Sequence, residues 1–132
     1  MRRVSQMYDA AIAPIGLTSG QLMILVEIAL RGKHPPTMRE LAEALVMDRS
    51  ALGHTLRPLE RDGLVRFEQS AADRRAQHVV LTRAGKSKMM AGQKIWARVQ
   101  GRFEAVVGQS ESAELRETLL RIARDERLSP PE

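Results

Sequence analysis

The chain contains no cysteine, which removes disulfides, thiolate nucleophiles, thiol redox sensing and cysteine-ligated zinc at once. Aromatic residues are nearly as scarce, at 3% of 132 residues, with one Trp, one Tyr and two Phe. The three histidines, His34, His54 and His78, match no metal-ligand spacing. There is no glycine-rich phosphate loop, no nucleophile elbow and no paired-carboxylate pattern. An enzymatic reading has no residues to rest on, and neither metal nor cofactor is expected. No apolar run approaches the ~20 residues that a membrane-crossing helix needs. Met1-Arg2-Arg3-Val4-Ser5 lacks the apolar stretch and cleavage site of a signal peptide. A cytoplasmic protein with no membrane partner is the expectation.

What is present is globular: 43% apolar and 28% charged residues, long enough for one domain, or one domain with a helical appendage, around a real core. The net charge of +5 is concentrated. Between Arg49 and Lys88 stand nine Lys/Arg against four Asp/Glu, also +5, so the remainder sums to zero. A positive surface confined to one compact stretch is the footprint of a nucleic-acid binder, although a solvated face would also carry such residues.

Val4, Met7, Tyr8, Ala11 and Ile12 form a helical stripe that Pro14 to Gly16 ends. Thr18 or Ser19 caps a second helix in which Leu22, Met23, Leu25, Val26, Ala29 and Leu30 are apolar nearly all round, a pattern that belongs at the centre of a domain. Pro35-Pro36 forces an extended segment suited to a short edge strand. Thr37 to Glu40 reads as a capping box, opening a helix that buries Met38, Leu41, Ala42 and Leu45. Asp48 caps the next helix, which buries Leu52, Thr55, Leu56 and Leu59 and stops near Gly63. Two amphipathic helices with only Val46-Met47 between them make a helix-turn-helix or a plain helical hairpin.

The residues downstream favour the former. Leu64 to Gln69 and Gln77 to Leu81 read as strands around a loop, residues 70–76, that ends in Arg74-Arg75. Strands and a basic loop placed after a helix-turn-helix make a winged helix, and such loops can enter a minor groove. Thr82 then caps a long helix to Val107, about 39 Å if continuous. Met89, Trp96 and Phe103, with Gly92, Val99 and Val106, form an a/d seam that needs a partner. Gly92 on that seam permits close approach. A last helix runs from about Glu111 to Arg127. The fold class is mainly α with a small β-wing. The winged core spans residues 18–82, and residues 1–17 and 83–128 are read as dimerisation helices, with a monomeric bundle as the alternative.

Several stretches together are similar to the MarR family of winged-helix regulators: Leu17-Thr18 to Gln21, Leu41 to Leu45, Asp48-Arg49-Ser50, Leu59 to Val65, and Asp73-Arg74-Arg75 to Leu81-Thr82-Arg83-Ala84-Gly85. The resemblance covers roughly Ser5 to Ile122, and its most specific part is the wing followed by Leu-Thr-x-x-Gly. It implies a homodimer that binds pseudo-palindromic double-stranded DNA as a transcriptional regulator, a repressor released by a small, aromatic effector held between the dimerisation helices and the winged domain. By position, the helix from Asp48 to Asp62 is the recognition helix. The implied DNA-binding residues are Thr37, Arg39, Arg49, Ser50, His54, Arg57, Asp73, Arg74 and Arg75. Arg75 would reach the minor groove braced by an ion pair from Asp73, with Arg74 against phosphate. Two positions depart from the family pattern. Gly53-His54 stands where Ser or Thr followed by Arg is common, and Val46 stands where Gly is frequent, so that turn should need no positive φ. A winged helix docking an acidic protein partner through the same basic face is the alternative function.

Overall fold

The computed structural model describes residues 2–129, and the chain divides into two compact units, one ending at Trp96 and one beginning at Ala97. In the first, α1 (Arg2–Ile12) passes into a single 3-10 turn at Ala13–Ile15. The chain then enters α2 (Ser19–Leu30) through a full capping box. Thr18 Oγ1 accepts from Gln21 N at 3.2 Å and Gln21 Oε1 accepts from Thr18 N at 3.0 Å. Asp9 of α1 reinforces this end by accepting from the Ser19 backbone N–H at 2.8 Å and from the Ser19 hydroxyl. Those bonds, the hydroxyl first, hold the Asp9 carboxyl below its ordinary range.

Helix α2 is the centre of the core, as its composition predicts, with Leu22, Ile24, Leu25 and Ile28 buried. Each such side chain contributes roughly 1.5–3 kcal/mol by leaving water. Met23 and Leu30, read from the sequence as part of the apolar helix, are exposed at 46% and 74%. A helix without a polar face carries no signal for which side its neighbours will cover.

Helix α3 (Met38–Leu45) begins at the predicted box, and Leu41 and Ala42 are buried while Met38 and Leu45 are half-buried. Helix α4 (Arg49–Arg61) begins at Asp48, whose Oδ1 accepts from Ala51 N at 2.7 Å, and it buries Leu52, Leu56 and Leu59. Thr55 is only half-buried, its hydroxyl donating to Ala51 O at 2.9 Å.

The turn between α3 and α4 overturns one expectation. Val46 lies in the left-handed region at φ +54°, ψ +48°, the one non-glycine residue with positive φ among the described residues. Its N–H donates to Glu43 O at 3.3 Å, and Met47 N donates to Ala42 O at 2.9 Å. That pair of bonds is the Schellman ending of a helix, which requires a left-handed residue at this position whatever its side chain. The hydrogen bonding of the short turn has overridden the steric preference of a β-branched residue.

Strands β1 (Val65–Gln69) and β2 (Gln77–Leu81) pair antiparallel, with Val65 opposite Leu81 and Phe67 opposite Val79. The double proline supplies a rudimentary third edge. Thr37 bridges His78, Val79 N donates to Pro36 O at 2.9 Å, and His78 Nδ1 lies 2.8 Å from Pro35 O. Thr82 then locks the wing to α5 (Arg83–Val107). Its hydroxyl donates to Gly63 O at 2.6 Å and accepts from Gly85 N at 3.0 Å.

The first half of the a/d seam is covered by the protein's own chain, not left for a partner. Met89 belongs to the core cluster. A Cβ on Gly92 would lie 2.7 Å from Leu22 Cδ1, and Trp96 stacks on Tyr8 with ring centroids 4.1 Å apart. The close approach predicted at Gly92 is therefore between α5 and α2.

The second unit holds the remainder of α5, then α6 (Gln109–Arg124) and a 3-10 turn at Glu126–Leu128. Helix α6 starts and ends earlier than the sequence pattern indicates. Arg116 pairs with Glu104 at 3.5 Å. Val99 and Ser112 are buried, but Leu115, Leu119, Leu120 and Ile122 stay exposed at 44–50% and Val106 at 86%.

Candidate nucleic-acid interface

Helix α4 shows two opposite faces. Leu52, Leu56 and Leu59 pack inward. Ser50, Gly53, His54, Arg57 and Arg61, spaced i, i+3, i+4, i+7 and i+11, follow a single line along the other side. Ser50, His54, Arg57 and Arg61 are exposed. Arg49 is exposed too, about 100° off that line in the first turn. Arg61 was not among the predicted site residues, although its i+11 spacing from Ser50 was readable; its guanidinium is 3.3 Å from Asp62. Pro58 sits inside the helix, and its missing N–H leaves the His54 carbonyl without a helical donor on this same face.

Thr37 and Arg39 occupy the start of α3. The Thr37 hydroxyl is engaged in its cap, accepting from Glu40 N at 3.2 Å and donating to Glu40 Oε1 at 3.0 Å. Two donors of Thr37, its hydroxyl first and then its backbone N–H, which reaches Glu40 Oε1 at 3.4 Å, hold the Glu40 carboxyl below the usual carboxylate range, helped by Arg31 and His78 nearby. Arg39 is exposed and spans one turn to Glu43 at 3.2 Å.

The wing loop is a built turn. Ser70 N donates to Ala76 O at 3.0 Å and Ala76 N to Asp73 O at 3.1 Å. The Ser70 hydroxyl accepts from both Ala72 N and Asp73 N at 3.3 Å, and Gln69 Nε2 donates to Arg74 O at 2.9 Å. Asp73 braces Arg75 through the main chain, its Oδ1 accepting from Arg75 N at 2.9 Å, rather than through the expected ion pair. This leaves the Arg74 and Arg75 side chains exposed at the wing tip.

Apart from Arg83 and Lys86 at the start of α5, the cations of this region sort into two groups. Arg66 is held by Glu68 at 2.8 Å, Arg61 by Asp62, and Lys88 Nζ donates to Ile15 O at 2.8 Å. Arg49, Arg57, Arg74 and Arg75 have no acidic partner among the described residues, so their charge faces solvent. Two separate elements, a helix face and a loop tip, thus carry unpaired arginines in one unit. Tyr8 and Trp96 pack on each other, and His34 is exposed.

Comparison with known proteins gives this arrangement a context. The family model described as "MarR family" matches residues 15–76. The M. tuberculosis transcriptional regulator MosR in complex with DNA is 32% identical, with a TM-score of 0.82 over 93% of this chain and 86% of that one. AbsC, a MarR family transcriptional regulator from Streptomyces coelicolor, is 29% identical, with a TM-score of 0.83 over 97% of this chain and 87% of its own. The transcriptional repressor CouR, bound to a 23-mer DNA duplex, is 27% identical with a TM-score of 0.85, covering 93% and 86%. No curated protein sequence matches the chain.

Proposed function

The chain belongs to the MarR family of transcriptional regulators, and on that premise we propose that it is a cytoplasmic homodimeric repressor of a pseudo-palindromic operator, released by a small effector. The observation that carries this reading is the pairing of two arginine-bearing elements in one unit. Ser50, His54 and Arg57 line the outer face of α4, and Arg74 and Arg75 stand unpaired at the wing tip. A helix face of this kind reads base edges in a major groove, while a projecting arginine suits the narrower groove beside it. Arg49 and Arg74 serve phosphates, and Thr37 and Arg39 stand at the start of the supporting helix.

The dimer is supported by the apolar residues that stay exposed in the second unit, Val106, Leu115, Leu119, Leu120 and Ile122, of which Leu115, Leu119 and Ile122 repeat at helical spacing. Two copies joined there would set half-sites about one helical turn apart. Footprinting of the DNA upstream of the gene across a salt series tests the reading. Protection of two half-sites that weakens steeply with salt is expected. Uniform, sequence-independent protection would reject it.

A further inference from the structure

The wing is anchored where two prolines leave the sheet short of donors. Pro35 and Pro36 have no N–H to offer the neighbouring edge of β2, so any bond between them and the strand must be donated by the strand. Val79 N supplies one, to Pro36 O at 2.9 Å, and the His78 side chain supplies another, its Nδ1 lying 2.8 Å from Pro35 O. A carbonyl oxygen only accepts, so Nδ1 carries the proton. An imidazole protonated on Nε2 alone would set a lone pair against the Pro35 oxygen. Val79 is buried and His78 half-buried, whereas Gln77, Arg75 and Arg74 on the tip side are exposed. His78 thus stands at the boundary between the rooted part of β2 and its projecting arm.

The segment that receives these bonds is itself tied down. Pro35 and Pro36 run into Thr37, the cap of α3, and Arg31 at the end of α2 reaches Glu27 at 3.3 Å and Glu40 at 3.6 Å. The imidazole therefore links the wing to the start of the helix pair that presents Ser50, His54 and Arg57. We propose that His78 is a positioning residue for DNA binding: its bond to Pro35 sets the tilt of the wing against α3 and α4, so that Arg75 meets the minor groove when Arg57 engages the major one. Arg75 is up to roughly 13 Å of chain away from Val79, and a tilt of about 15° there would displace it by about 3 Å. A hydrogen-bonded contact does not survive such a shift. The inference rests on the regulator reading for its consequence, though not for the bond itself.

The test joins two measurements on the full chain. Without DNA, NMR of the imidazole nitrogens should find His78 protonated on Nδ1. The amides of residues 70–76 should gain fast motion in His78→Leu but not in His78→Asn, whose amide nitrogen takes the place of Nδ1 as donor. On operator duplex, His78→Leu should weaken binding on the order of tenfold. In that background the loss caused by Arg75→Ala should shrink to within about twofold, since a misplaced wing has no contact left to lose. Arg57→Ala should cost the same factor with or without His78→Leu. His78→Asn should keep wild-type affinity and the full Arg75 effect, while His78→Gln, with its amide one atom farther out, should not. That last pair carries the comparison if His78→Leu fails to fold. A bare Nδ1, an Arg75→Ala loss unchanged in His78→Leu, equal coupling to Arg57, or Asn and Gln variants that behave alike would overturn the role of His78. A wild type that protects no operator rejects the regulator instead, and the spectra then decide the junction alone. Nδ1 protonation with a looser wing in His78→Leu upholds it, and the lack of either overturns it.

Discussion

Gly85 and Leu64 meet backbone to backbone: a Cβ on Gly85 would collide with the Leu64 carbonyl oxygen and lie 2.8 Å from Leu81 Cδ1. Thr82, three residues earlier, donates to Gly63 O and accepts from Gly85 N. The Leu81-Thr82-x-x-Gly85 pattern is thus a clasp that seats the root of α5 on the start of β1. Gly85→Ala is expected to destabilise the protein by about 3 kcal/mol, since the obstructing atom is main chain and cannot rotate away. Urea unfolding would register this as a lower midpoint, and an unchanged midpoint would mean the clasp is looser than it stands here.

Val46 gives a prediction of opposite sign. A left-handed conformation costs a non-glycine residue about 1–2 kcal/mol, and glycine gives back about 0.5–1 kcal/mol through its freer unfolded chain. Val46 is 68% exposed, so little packing is lost with it. Val46→Gly should raise stability by up to about 1 kcal/mol, read as a higher denaturation midpoint at constant slope.

Gly53 weakens α4 by about 1 kcal/mol relative to alanine, and nothing lies within 4 Å of where its Cβ would be. Gly53→Ala should therefore stabilise the free protein. The same methyl would stand on the line of Ser50, His54 and Arg57, so operator affinity should change while non-specific affinity does not. Equal changes in both would place this face away from the bases.

The two wing arginines should separate in a salt series. Arg74→Ala is expected to weaken binding to all sequences alike and to reduce the salt slope by about 1, as for a phosphate contact. Arg75→Ala and Arg57→Ala should each cost about 1–3 kcal/mol on the operator. Wild-type operator affinity in both of the latter variants would refute the assignment.

Acid should act on the cap of α3. The Glu40 carboxyl lies below its ordinary value in the fold because Thr37 donates to it. Its contribution is complete above the unfolded-chain value and is lost as pH falls through the folded one. Thr37→Ala should cost about 1 kcal/mol at neutral pH and flatten the decline of stability on the acid side. A wild-type pH profile in that variant would show that Glu40 gains nothing from the cap.

Local chemistry was the legible part of the fold. Thr37, Asp48 and Thr82 mark helix starts through bonds that span three residues, and β2 is where its side-chain pattern puts it. What escaped depends on partners far along the chain. Periodicity shows that Met89, Gly92 and Trp96 share a face, but not that Leu22 and Tyr8 cover it rather than a second copy. The bond from Asp9 to Ser19 joins two helices across a turn that neither helix pattern describes. Val46 is illegible for another reason: its side chain argues against the conformation that the surrounding backbone bonds impose. At the interface, the candidates on α4 could be placed on one face by spacing, whereas the pairing of Arg39, Arg61 and Arg66 with nearby carboxylates depends on rotamers.

The contacts that finish the core also set a schedule for synthesis. Lys88 reaches the Ile15 carbonyl from 73 residues away, and Leu22 finds its neighbour only when Gly92 exists. At ~5–20 residues per second, helix α2 emerges with its greasiest side bare for on the order of several seconds before α5 arrives to close over it. During translation this chain offers a transient target to any chaperone waiting at the ribosome, and that exposure ends only after the wing has been made.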